Sequence, residues 1–145
     1  MSTDELWMRE AIKEARLAAL DCEVPIGAVV VVGDKIIGRG HNMVQRLNDV
    51  SAHAEMIALT AACQYLDAKY LPDCTLYVTL EPCPMCAGMS HLSQVGRIVY
   101  GASDPKIGYS RHTPSLLHRK TQVSSGVLES ECLALLRSFF RQRRR

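Results

Sequence analysis

Two short stretches of this chain make chemical sense only if the fold brings them together. His53-Ala54-Glu55 offers an imidazole and a carboxylate two positions apart, and Pro82-Cys83-Pro84-Met85-Cys86 offers a pair of thiols. One His and two Cys are three ligands for a metal such as zinc, and no fourth stands nearby in sequence. A structural zinc is closed by four protein ligands, whereas a catalytic one takes three and leaves a position for water. Glu55 is near enough to act on that water without ligating the metal, which predicts a hydrolytic site with its own proton carrier. A structural zinc is the competing reading, and Glu55 together with the three-ligand count argues against it.

The pattern around these stretches alternates between helix and strand. Residues near Thr3 to Leu20 read as an amphipathic helix with Leu6, Ile12, Ala15 and Ala19 on its apolar side and Ser2, Thr3 or Asp4 at its cap. Ala28 to Val32 and Lys35 to Gly40 read as a hairpin turning at Gly33-Asp34, followed by a polar loop from Asn42 to Ala52. A second helix opens at His53, with Met56, Ile57, Ala61 and Ala62 as its apolar face, and runs to about Leu66. Thr75 to Leu80 is a strand that delivers the chain to Glu81-Pro82-Cys83, and Pro84 suits the first turn of a helix running toward Leu92. Val95 to Tyr100 is a further strand, Ser103 to Gln122 reads as loop with a short helical turn, and Glu129 to Phe140 closes as a helix. Leu133, Leu136, Phe139 and Phe140 form the apolar side of that last helix, and Trp7 reads as core. This alternation predicts an α/β layered domain covering residues 1–145. His53 and Glu55 then open one helix and Cys83 and Cys86 another, so two helix N-termini converge on one metal and favour thiolate.

No apolar run approaches the roughly 20 residues a membrane span needs, and no basic-then-apolar leader is visible, which predicts a cytoplasmic location and no membrane partner. Cys22, Cys63, Cys74 and Cys132 are scattered among apolar neighbours and read as buried thiols. Charge is unevenly spread. Residues 1–96 carry 7 Lys/Arg against 12 Asp/Glu, and residues 97–145 carry 10 against 3. The basic half holds Lys106, Arg111, Arg119 and Lys120 and ends in Arg141-Gln142-Arg143-Arg144-Arg145, which suggests a polyanion-facing surface; a merely solvated tail is the plainer reading.

The pairing of H-x-E with P-C-x-x-C is the signature of zinc deaminases acting on nucleobases. The chain resembles the cytidine deaminase-like superfamily, and within it the bacterial tRNA-specific adenosine deaminases. That closer resemblance is carried by Glu23-Val24-Pro25-Ile26-Gly27-Ala28-Val29, Gly40-His41-Asn42, Ala52-His53-Ala54-Glu55, Tyr77 through Gly88, Val99 through Lys106, and the closing Gly126 to Arg141. It implies a three-layer α/β/α fold around a central mixed sheet of about five strands. It also implies one zinc per subunit held by His53, Cys83 and Cys86, with Glu55 as proton shuttle. Asn42 and the Ala54 backbone would hydrogen-bond the target base, Asp104 and Lys106 would place neighbouring nucleotides, and Arg141, Arg143 and Arg144 are candidate RNA contacts. The expected reaction is conversion of the wobble adenosine of a tRNA anticodon stem-loop to inosine by a homodimer. A hairpin loop presents an unstacked base at lower cost than a duplex. Two alternatives stay open: a deaminase of a free nucleoside or nucleobase, and a non-catalytic binding subunit, against which Glu55 speaks. The loop Ile107 to His112 is bulkier than the small-residue loop usual in these relatives.

Overall fold

A computed structural model of the chain describes residues 1–112 and 115–143. Helix α1 (Thr3–Leu20) leads into strands β1 (Gly27–Val32) and β2 (Lys35–His41) and a four-residue helix α2 (Val44–Leu47). Helix α3 (Ala54–Leu66), strand β3 (Cys74–Leu80), helix α4 (Pro84–Leu92) and strand β4 (Arg97–Ala102) follow. A 3₁₀ turn (Tyr109–Arg111), strand β5 (Gln122–Ser124) and helix α5 (Glu129–Arg143) complete the order. The strands form one mixed sheet in the order β2-β1-β3-β4-β5. β1 pairs antiparallel with β2 and β3, while β3–β4 and β4–β5 are parallel.

Alternation along the strands builds two cores. Val29, Val31, Tyr77 and Val99 face α1 and α5, packing with Met8, Ala11, Ile12 and Cys132. Ala28, Val30, Leu76, Val78, Ile98 and Tyr100 face α3 and α4, packing with Ala54, Ala58, Leu59, Ala62 and Ala87. The expected three-layer α/β/α arrangement with five strands is what the chain adopts. The Ala28–Val32 run has no polar alternation because β1 lies inside the sheet with both faces covered.

Several local expectations shift. The α1 start is as expected: Ser2 Oγ accepts from the Glu5 N–H at 3.1 Å, and Glu5 Oε1 accepts from the Ser2 N–H at 3.2 Å. Its buried face, however, is Met8, Ala11, Ile12, Ala15 and Ala18, with Leu6 and Ala19 outside. Trp7 is half-buried against that core. In α3 the buried residues are Ala54, Glu55, Ala58, Leu59 and Ala62, while Met56, Ile57 and Ala61 are only half-buried. β4 continues through Gly101 to Ala102, α2 interrupts the expected loop, and β5 was expected only as the end of a loop. Of the four cysteines read as buried thiols, Cys74 and Cys132 are buried, Cys63 is half-buried and Cys22 is exposed.

Candidate active site

The site is built by two helix starts. β2 carries Gly38 and Gly40 where α3 crosses it, and no side chain stands between the strand and the helix. At Gly40 an added Cβ would meet Ala58 N and Ile57 Cβ at 2.9 Å and the Ala54 carbonyl closer still. Small residues at Ala54, Ala58 and Ala62 complete this backbone-to-backbone seat, which fixes where α3 begins. On the parallel side, β3 ends at Leu80 and passes through Glu81-Pro82 into α4, so Cys83 emerges beyond the carboxyl end of a parallel strand, a usual place for ligand sites in such sheets. His53 and Cys83 are the N-cap residues of α3 and α4. Both are extended (φ −83°, ψ 153° and φ −73°, ψ 171°), and neither spends its side chain on a capping hydrogen bond.

His53, Cys83 and Cys86 therefore converge, their ligand atoms all within 4.8 Å of one another. His53 Nδ1 lies 3.6 Å from Cys83 Sγ and 3.5 Å from Cys86 Sγ. A tetrahedral zinc with Zn–S about 2.3 Å and Zn–N about 2.0–2.1 Å separates N from S by about 3.5 Å, so the donor set and its spacing both fit zinc. Hydrogen bonding from Cys86, aided by His53, pulls the Cys83 thiol down to about 4. The same hydrogen bond to Cys83, reinforced by burial and by Glu55, pushes Cys86 up. His53 is raised, first by its hydrogen bond with Cys83. Glu55 is 4% exposed, and burial lifts its carboxyl to about 7. A carboxyl poised there can both take and return a proton near neutral pH.

Above the ligands lies a cavity of about 500 Å³ whose lining includes His53, Asn42, Leu80, Asp104, Lys106 and Phe140. Asn42 is buried, and its Oδ1 accepts the Ala54 N–H at 2.9 Å. The Ala54 N–H is thus bonded to Asn42, and Asn42 keeps its Nδ2 donors for another partner. Asp104 and Lys106 line the cavity. Arg141 lines an adjoining groove of about 400 Å³ with Lys106, Leu136, Arg137 and Phe140. Arg143 instead donates to the Cys22 carbonyl at 3.1 Å and lies over the Phe139 ring at 4.9 Å. Arg144 lies outside the described residues.

Sequence reasoning passed over two buried carboxyl groups that shape this cavity. Glu23 Oε1 and Oε2 accept from the Gln45 and Arg46 N–H groups at 3.1 and 2.8 Å and anchor α2 beside Asn42. Glu81 binds the 103–111 loop on the opposite side. Both stand inside stretches that carry the family resemblance, but no spacing points to their backbone partners.

Residues 1–102 match the profile of the cytidine and deoxycytidylate deaminase zinc-binding region, and this span holds His53, Cys83 and Cys86, the three candidate ligands, and Glu55. The chain belongs to that zinc deaminase family. It is 49% identical over 150 residues to a Bacillus subtilis tRNA-specific adenosine deaminase, covering 100% of this chain and 93% of the relative. A solved tRNA:A34 deaminase, studied for A-to-I editing at the wobble position of transfer RNA, superposes with a TM-score of 0.84 at 42% identity, covering 90% of this chain and 99% of the other. A guanine deaminase from Nitrosomonas europaea superposes equally well, at 0.84, but at 28% identity over 96% of this chain and 85% of its own. The zinc deaminase fold is shared with both; the sequence lies much nearer to the tRNA deaminases.

Proposed function

We propose that this zinc deaminase converts the wobble adenosine of a tRNA anticodon loop to inosine, releasing ammonia. The observation that carries the reading is the cavity: His53 and Asn42 line it together with Lys106, Leu136 and the exposed ring of Phe140, and these last three also line the Arg137–Arg141 groove. A free base needs only the part beside His53 and Asn42. A cationic rim with an exposed aromatic ring suits flanking phosphates and unstacked bases.

His53, Cys83 and Cys86 would hold zinc, which would supply the Lewis acidity that makes water nucleophilic near neutral pH. Asn42, with its Oδ1 fixed by the Ala54 N–H, turns its Nδ2 donors toward acceptor nitrogens on the purine. Ala54 thus takes part as the anchor of Asn42. Glu55 takes a proton from water, delivers it to purine N1, and so makes C6 electrophilic. Once the water oxygen is bonded to C6, Glu55 takes the remaining proton from that oxygen and delivers it to the exocyclic amine, so that the C6–N bond breaks, ammonia leaves and C6=O forms. Burial keeps solvent from short-circuiting these transfers. Asp104, Lys106 and Arg141 contact the flanking nucleotides. Arg143 supports the Phe139 side of the rim. The enzyme works in the cytoplasm as a homodimer. Among the described residues no helix is long and apolar enough to cross a membrane.

The test is incubation of the zinc-loaded chain with an anticodon stem-loop carrying wobble adenosine and, separately, with adenosine, cytidine and guanine, scored by mass spectrometry. Inosine in the stem-loop alone is expected. Turnover of a free nucleoside or base with none in the stem-loop would overturn the reading.

A further inference from the structure

Glu81 directly precedes the Pro82-Cys83 step, yet its side chain points away from the metal ligands and into the backbone of the 103–111 loop. It is 3% exposed. Oε1 accepts the Asp104 N–H at 3.0 Å, and Oε2 accepts both the Ser110 N–H at 3.0 Å and the Ser110 Oγ–H at 2.6 Å. The main chain reinforces this link from both ends. Glu81 N–H donates to the Ala102 carbonyl at 2.8 Å, and Tyr109 N–H donates to the Pro82 carbonyl at 2.9 Å. Gly108 passes so close that an added Cβ would overlap the Glu81 carboxyl group and lie 2.6 Å from Asp104 O.

We infer that Glu81 is a positioning residue that templates the substrate-binding wall and ties it to the metal site. Its backbone leads into the ligand Cys83, and its carboxyl group gathers the two ends of the loop that puts Asp104, Pro105, Lys106 and Ile107 into the cavity. The loop's apolar anchor is Tyr109, buried in the core against Tyr100, whereas the Asp104–Ile107 segment that enters the cavity buries no apolar side chain of its own and is held otherwise by Asp104 Oδ1 accepting from the Lys106 and Ile107 N–H groups at 3.0 and 3.2 Å. The wall and the ligand therefore move as one piece, and the depth of the cavity over the metal is set by Glu81. The loop's unusual composition follows: Gly108 is the residue the carboxyl group leaves room for, and Ser110 supplies two of its three donors. Glu81 belongs neither to the cavity lining nor to the His53–Cys83–Cys86 cluster.

The choice of substrate for the test rests on the tRNA reading, so a second readout is independent of it. In Glu81→Gln one carboxylate oxygen becomes an NH₂ donor, and in either orientation of the amide at least one of the loop's donors loses its acceptor. With zinc-loaded full-length protein, hydrogen exchange of the 103–111 peptide should rise at least about tenfold in this variant while α3 and β3 keep their protection. Steady-state kinetics on the stem-loop should show KM raised about tenfold or more, kcat within about threefold of the parent, and zinc unchanged. Ser110→Ala should show the same pattern more weakly, and the double variant should be no worse than Glu81→Gln alone because both break one link. Unchanged exchange in the loop would overturn the inference whatever the substrate. So would a KM within twofold of the parent with kcat or zinc content reduced, because Glu81 would then serve only Cys83. If Glu81→Gln does not fold, Ser110→Ala and Gly108→Ala decide by the same two readouts. If the parent leaves the stem-loop untouched, the tRNA reading fails and hydrogen exchange alone judges Glu81.

Discussion

Gly40→Ala places a methyl group in the seat between β2 and α3. Its Cβ would stand 2.9 Å from Ala58 N and Ile57 Cβ, against an optimal separation of about 3.5–4.0 Å between carbon atoms. α3 must therefore retreat by at least about 0.6 Å, and the neighbours that must yield are mainly main-chain atoms, which cannot rotate aside. Overpacking of this kind costs about 1–3 kcal/mol, and the reduced freedom of the unfolded chain returns about 0.4–1 kcal/mol. The difference spans about 0–2.6 kcal/mol, and the still closer approach to the Ala54 carbonyl places Gly40 in its upper part, at about 1–2.6 kcal/mol or a melting temperature lower by about 3–9 °C. The functional effect should be larger than the stability loss suggests. Ala54 and Glu55 ride on the displaced first turn, and a misplacement near 1 Å costs about 100-fold in rate, so about tenfold or more is expected here. Thermal unfolding by circular dichroism and single-turnover deamination of the stem-loop, both on zinc-saturated protein, measure the two effects. A melting temperature within 1 °C of the parent and a rate within twofold would refute the idea that backbone contact seats α3.

Glu55→Gln removes the proton carrier and leaves the ligands in place, so kcat should fall by about 10²–10⁴-fold with zinc content unchanged; a fall of less than tenfold would remove Glu55 from the mechanism. Zinc affinity should weaken as pH falls, because His53 and Cys86, both raised, must give up protons to ligate. Competition with a chelator should show at least about 100-fold tighter binding at pH 8 than at pH 6, the value for one proton released throughout and larger where His53 and Cys86 both release one, and a pH-independent affinity would contradict the ligand set. Asp4→Asn should destabilise by about 1–3 kcal/mol, since Asp4 accepts from Arg97 Nη1 and Nη2 at 2.8 and 2.7 Å and from the Tyr77 hydroxyl at 2.9 Å. The Arg97 hydrogen bonds hold the Asp4 carboxyl below its usual value, so its contribution is complete above the unfolded value of about 3.9 and is lost as pH falls through the folded one. Urea unfolding at pH 7 and pH 3 should show the gap between variant and parent closing at the lower pH.

The metal triad and the element order were readable because both rest on local signals: paired short motifs, a capping Ser2 and a proline at the start of α4. The buried faces of α1 and α3 were misread for a physical reason. Where a helix crosses a strand glycine the residue at the crossing must be small, so Ala11 and Ala15 sit at Gly27 and Ala54, Ala58 and Ala62 at Gly38 and Gly40, while Met8, Ile12 and Leu59 fill the core beside them and Leu6 and Met56 lie further out. β5 carries little signal because its three residues are largely exposed and it pairs along one edge of the sheet only. Glu23 and Glu81 were illegible because their partners are backbone N–H groups up to 29 residues away, which no periodicity announces.

His53 and Cys83 occupy the positions where Ser, Thr, Asp or Asn would ordinarily close a helix, and their side chains leave that task undone. A good cap at each start would contribute about 1 kcal/mol, so the polypeptide forgoes about 2 kcal/mol to keep these side chains available. Selection for robustness alone would therefore push positions 53 and 83 toward Ser or Asp, erasing the enzyme while improving the fold. Libraries screened for thermal tolerance need an activity filter at these two positions above all others.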